Sequence, residues 1–346
     1  MNNTQAYIER ITRDISDGLI LIDSTGTIRF VNQSAYHLLE WKTISEGAKY
    51  FSLMELDSTG ENDMFHQFLL DSIYDKYHTH SGTVRYICPS GLERYFNITT
   101  SVARENDQSQ VFGIILQFSD ITDLHKEQIK HDDSIKILVA LITMLSTWNF
   151  VYIVWMLTGQ PISSSTMTII IEVIGVIGAV FILKYTSITV SDLGLGITNL
   201  KSSIIFNSIL TVSMLVLMIA AKLIIIKFFP NIYGPGAKLF IWDKWSISDS
   251  LYFVTVIVQE FLTRGVVQGS LESILPDNYP SAFAIIVSSL FFGAIHLHKG
   301  LGFMLGAVAL LSIFGFIYKK HGTIWGLCIP HYVLGLALEV IWGIYT

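Results

Sequence analysis

Cysteine is nearly absent from this sequence. Cys88 and Cys328 are the only two, set far apart, so neither a disulfide framework nor a thiolate metal centre is encoded, and any metal would have to rest on histidine and carboxylate. Charge is scarce as well: 14% of residues are charged, against roughly 25% in soluble domains, which points to lipid as the main solvent. The formal net charge of −6, with no basic stripe interleaved with aromatics, excludes a nucleic-acid partner. The opening segment MNNTQAYIERITRD has no apolar core of the secretory kind, so the first third is expected on the cytoplasmic side. No Gly-rich nucleotide-binding segment follows that third, which argues against a sensor kinase. The apolar part shows no obvious internal repeat, which argues against a transporter.

The shortage of charge is confined to one part of the chain. Residues 1–136 read as a soluble domain, whereas residues 137–346 hold long apolar runs. In the soluble part, 7–16 reads as a short lead-in helix, and DGLILIDSTGTIRFVN (17–32) as two strands around Ser24-Thr25-Gly26. AYHLLEW (35–41) has helical spacing. GTVRYICPSGLERYFNITTSVA (82–103) gives two more strands around Pro89-Ser90-Gly91, and VFGIILQFSDIT (111–122) a last one. The order of these elements, with Asp17-Gly18, Val31-Asn32, Gly91 and Asp120-Ile121-Thr122, resembles a PAS domain over residues 8–124. The resemblance implies an α/β fold, a five-stranded antiparallel sheet with flanking helices, that senses a ligand or forms a homodimer. The motifs name no ligand. His37, His66, His78 and His80 do not read as haem ligands, since the last two lie in a polar segment, and Cys88, beside Pro89 at a turn, does not read as a flavin attachment site. Residues 125–136 are charged and free of proline, a helical linker into the apolar part.

From Ile137 the chain offers about seven stretches of roughly twenty mainly apolar residues, near 137–158, 165–184, 203–228, 247–270, 280–297, 300–318 and 323–345. They predict an all-α, multi-pass membrane helix bundle over 137–346. Lys136, Lys184, Lys201, Lys319 and Lys320 fit a cytoplasmic N-terminus, while Lys238 and Lys244 count against it. SDLGLGITN (191–199) is expected at the membrane interface, and Trp242 and Trp245 as interfacial anchors.

An ionisable side chain is costly in hydrocarbon, so each one inside a span is a functional candidate. Glu260 and Arg264 stand at i, i+4 on one helical face, His296 lies late in the fifth span, and His331 follows Pro330 in the seventh. Two histidines and a carboxylate from separate helices make a divalent-metal or a general-base constellation. Glu172, Glu339 and His298 read as structural or interfacial.

These residues sit in Gln259-Glu260-Phe261-Leu262-Thr263-Arg264, Phe292-Gly293-Ala294-Ile295-His296 and His331-Tyr332-Val333-Leu334-Gly335. In order and spacing they resemble the three motifs of the CPBP family of intramembrane endopeptidases (CAAX protease and bacteriocin-processing, or Abi), Glu-Glu-x-x-x-Arg, Phe-x-x-x-His and His-x-x-x-Asn. The resemblance implies hydrolysis of membrane-embedded or lipid-anchored peptides. His296 would orient water or bind metal, His331 would stabilise the oxyanion, Arg264 would brace Glu260, and Glu260, His296 and His331 are the candidate ligands of a zinc-like ion. The chain departs from the pattern twice, with Gln259 where the family has glutamate and Gly335 where it has asparagine. A non-hydrolytic sensor or adaptor that binds a membrane partner is the competing expectation.

Overall fold

A computed structural model of the protein describes residues 12, 15–41, 47–50, 60–75, 78–104, 111–229, 231–234, 236–242, 247–276 and 279–343. Most of the expected lead-in helix, with Lys244 and Trp245, falls outside these residues. The chain divides into two compact units, Met1–Lys130 and His131–Thr346.

The first unit is built on β1 (Gly18–Asp23), β2 (Ile28–Val31), α1 (Gln33–Leu39), α2 (Asp63–Tyr74), β3 (Ser81–Ile87), β4 (Glu93–Arg104) and β5 (Val111–Asp120). The strands form one antiparallel sheet in the order β2-β1-β5-β4-β3. Gly26 turns the first hairpin at φ +75°, a left-handed backbone that favours glycine. Asp23 clasps that turn, accepting from Thr25 Oγ1 at 2.7 Å, from the Thr25 and Thr27 amides and from Arg29 Nε. Asn32 caps α1 by accepting from the Ala35 amide at 2.9 Å. Phe65, Phe96 and Phe118, with Tyr86, fill the space under the sheet in mostly edge-on or tilted pairs. Asp120 accepts from the Thr122 amide and hydroxyl and from Arg94 Nη1, closing β5 onto the start of the next helix.

That helix, α3 (Thr122–Leu157), runs continuously through the expected linker. The second unit continues with α4 (Ser164–Tyr185), a kinked turn (Ser191–Leu195), α5 (Leu200–Phe228) and α6 (Ile247–Glu260). Then come a widened helical segment with i→i+5 bonding (Phe261–Gly269), α7 (Ser270–Ile274), α8 (Ala282–Ala294), a 3₁₀ turn (Ile295–Lys299), α9 (Leu301–His321) and α10 (Cys328–Trp342). Five described helical runs are long and apolar enough to cross a membrane. Of the other two expected spans, 247–270 is covered by α6 with the widened segment, and 323–345 contains α10, which has 15 residues, about 22 Å of helix against a hydrocarbon core of about 30 Å. Gly322, left-handed at φ +69°, ends α9 and delays the start of α10. Ile142, Phe150, Ile177, Val180, Ile209 and Val212 point outward, a surface suited to lipid rather than water.

Two close approaches set the inner helices. A Cβ on Gly265 would stand 2.1 Å from the Leu193 carbonyl, so the widened segment lies directly on the kinked turn, and a Cβ on Gly175 would meet Leu262 at 2.6 Å, so α4 lies directly on the widened segment. One turn before that second contact, Gln259 Nε2 donates to Glu172 Oε1 at 3.3 Å. The contacts advance by three residues on both partners, so α4 and α6 run in the same direction.

Candidate active site

The site is assembled on a stripe of residues four apart: Tyr252, Val256, Glu260, Arg264, Gln268 and Glu272. In an α-helix of 3.6 residues per turn such a stripe drifts steadily around the axis. The widened turns from Phe261 hold more residues per turn and cancel the drift. Widened segments of this kind recur at functional sites.

Glu260 and Arg264 are wholly buried. Glu260 Oε1 lies 2.6 Å from Nδ1 of His331, which α10 carries in, and Oε2 faces Arg264 Nε at 3.5 Å. Arg264 also donates to the Leu311 carbonyl at 2.7 Å and to Gln268 Oε1 at 3.2 Å. Gln268 donates to the Gly315 carbonyl and to Glu272, and Glu272 pairs with half-exposed Lys319 at 2.8 Å. A continuous polar chain therefore runs from His331 to the surface of the unit. Because a carboxylate only accepts, His331 donates through Nδ1 and presents a lone pair at Nε2.

His296, in the 3₁₀ turn after α8, is held in the same way. Its Nδ1 donates to the Phe292 carbonyl at 3.0 Å and its ring stacks on Phe303, which leaves Nε2 as a second acceptor. Gly335, one turn beyond His331, faces Tyr252: a Cβ built there would stand 2.8 Å from the ring and 3.0 Å from the hydroxyl.

The expected metal set does not assemble in this arrangement. Among the described residues no three His, Cys, Asp or Glu side chains are grouped to hold one ion. Both oxygens of Glu260 already face nitrogen, one from imidazole and one from guanidinium. The donor set fits an oriented imidazole rather than a metal ligand sphere.

Three positions escaped the sequence reading. Tyr252 belongs to the stripe, and its spacing from Glu260 was the available signal. Glu172, read as structural, meets Gln259 from another helix. Lys222 is fully buried in α5, where it donates to the Ile341 carbonyl at the end of α10, and a lysine within an apolar run was itself a flag.

Residues 242–337 match the family model described as type II CAAX prenyl endopeptidase Rce1-like, and residues 6–71 match a PAS domain model. No curated protein matches the chain. Similar solved structures include the PAS domain of Bordetella pertussis BvgS, at 16% identity and TM-score 0.30, covering 38% of this chain and 96% of that one. A PAS domain from Colwellia psychrerythraea is similar at 15% identity and TM-score 0.28, covering 35% and 98%. That of an HTR-like protein from Haloarcula marismortui is similar at 15% identity and TM-score 0.25, covering 35% and 100%. The chain thus joins a segment that matches a PAS domain model to a helix bundle, with five described helices apolar enough to cross a membrane, part of which matches the Rce1-like model.

Proposed function

We propose that this protein is a membrane endopeptidase that hydrolyses peptide bonds of membrane-embedded or lipid-anchored substrates, with the PAS unit on the cytoplasmic side setting its activity. The observation that carries the reading is the 2.6 Å contact between His331 Nδ1 and Glu260 Oε1, with Arg264 behind the carboxylate. A carboxylate that fixes an imidazole tautomer aims a lone pair outward and stabilises the imidazolium formed when that imidazole takes a proton. His331 accepts the proton of the attacking water and returns it to the leaving amine, while His296 Nε2 accepts from the same water and orients it. Arg264 places a fixed positive charge 3.5 Å from Glu260 Oε2, behind the carboxylate that holds His331.

The competing reading, a non-hydrolytic adaptor for a membrane partner, draws on Gln259 and Gly335. The test is incubation of the purified full chain in liposomes with a prenylated CAAX-type peptide and an unmodified transmembrane peptide, with new termini identified by mass spectrometry. New termini produced by wild type and absent with His331→Ala support hydrolysis. Retention of intact peptide supports the adaptor.

A further inference from the structure

The hydrolytic constellation, as oriented here, lacks one chemical part. His331 and His296 both use Nδ1 as the donor to a protein oxygen, so each faces the site with an acceptor. Arg264 is turned away toward Glu260, Gln268 and the Leu311 carbonyl. None of these groups donates a proton to the oxygen that becomes negative when water adds to a peptide carbonyl, and stabilising that oxygen is commonly the largest single contribution to such a reaction.

Tyr252 has the missing chemistry at the right place. It stands on the same stripe as Glu260, two turns earlier, and its ring centre lies 6.3 Å from that of His331 in an edge-on arrangement. Its side chain lies in the space opened by Gly335, with the hydroxyl 3.0 Å from where a Cβ would be. The ring meets both His331 and Gly335, so Tyr252 faces the site. Tyr252 is half-buried, and no protein oxygen or nitrogen among the described residues takes a hydrogen bond from its hydroxyl. A hydroxyl held at a polar site without a resting acceptor is available for a substrate oxygen.

We infer that Tyr252 is the oxyanion donor of this site, its hydroxyl filling the space that Gly335 leaves open. The inference rests on the hydrolytic reading above. Water loses a proton to His331 Nε2 as its oxygen bonds to the carbonyl carbon. The carbonyl π pair moves onto oxygen, which accepts the Tyr252 O–H. Collapse re-forms the carbonyl and breaks the C–N bond, and the amine leaves with the proton held by His331. The products are one carboxylic acid and one amine, with no other reactant consumed.

The test measures cleavage of a quenched-fluorescence prenylated CAAX-type peptide by the full chain in liposomes. It compares wild type, His331→Ala, Tyr252→Phe, Tyr252→Ala and Tyr252→Ala with Gly335→Asn. Tyr252→Phe removes one oxygen and leaves packing intact, so it is expected to melt like wild type while kcat falls about 10²–10³-fold and KM changes by less than about threefold. The asparagine placed in the volume vacated by Tyr252→Ala is expected to restore kcat by about tenfold or more over Tyr252→Ala alone. Tyr252→Phe with kcat within about threefold of wild type, while His331→Ala is inactive, overturns this inference and leaves the hydrolytic reading standing. A wild type that cleaves nothing overturns both.

Discussion

His331 and Glu260 are 71 positions apart in sequence, on α10 and α6, yet Nδ1 of one lies 2.6 Å from Oε1 of the other, with Arg264 on the far side of the carboxylate. This contact decides which imidazole nitrogen faces the site.

The contact predicts a particular pattern of stability. Glu260→Met leaves a buried guanidinium without its carboxylate, and Arg264→Met does the reverse. Breaking a buried pair costs about 3–5 kcal/mol, while replacing both partners with apolar residues of similar size is often nearly neutral. Thermal unfolding in detergent should therefore show each single variant well below wild type and the double variant above both. An additive double variant would mean that the two residues do not act as a pair.

Gly265 predicts a steric effect that chemistry does not require. A methyl group there meets the Leu193 carbonyl at 2.1 Å, and both sides of the contact are backbone. Gly265→Ala should cost about 1–3 kcal/mol by overpacking and should lower cleavage by displacing the stripe. A melting temperature equal to wild type would show that the kinked turn yields freely.

Glu172 and Gln259 form the third case. Gln259→Glu alone sets two carboxylates where 3.3 Å now separates an amide nitrogen from a carboxylate, and an uncompensated charge within a membrane span is costly. Exchanging the two, Glu172→Gln with Gln259→Glu, keeps one of each. The swap should be more stable than Gln259→Glu alone by a coupling of about 1–3 kcal/mol, read from a double-mutant cycle of melting curves. Zero coupling would separate the residues functionally. Gly335→Asn is not a simple restoration of a motif either, for a steric reason: Tyr252 already fills the volume.

The PAS unit predicts a dependence on pH. Burial raises the Asp23 carboxyl, but hydrogen bonds from Thr25, Thr27 and Arg29 outweigh it and hold the group well below the usual carboxylate range. Asp120 is lowered likewise, burial being outweighed by Thr122 and Arg94. Both have folded values below their unfolded ones. The stability they contribute is fully present above the ordinary carboxylate value of about 3.9 and is lost as pH falls through the lower folded values. Protection factors of the β1 and β5 amides in the full chain, each taken against the intrinsic exchange rate at the same pH, should be high at pH 5 and fall below about pH 4. Protection factors unchanged between pH 5 and about pH 2 would contradict this assignment.

The sequence made parts of this molecule readable and hid others. Both hairpins of the PAS unit were legible because Gly26 and Gly91 mark turns between alternating apolar runs, and each takes a positive φ. Glu260, Arg264, His296 and His331 were legible because charge in apolar helices is rare. Pairing between helices was not, because nothing in local spacing brings Glu172 to Gln259 or Tyr252 to Gly335. The tautomer of His331 was hidden for the same reason, since it depends on a partner on another helix. Apolar length did not show where each run becomes helical, because the run from 323 opens with a turn after Gly322 ends α9, and α10 starts only at Cys328.

Single-turnover cleavage of a prenylated CAAX-type peptide by the full chain in liposomes tests the central claim most directly, comparing wild type with His331→Ala and Glu260→Gln. The account predicts cleavage by wild type, none with His331→Ala, and a rate reduced about 10²–10⁴-fold with Glu260→Gln, which removes the carboxylate that holds the imidazole tautomer. Cleavage by His331→Ala at the wild-type rate, or tight peptide binding by wild type without any cleavage, would contradict it.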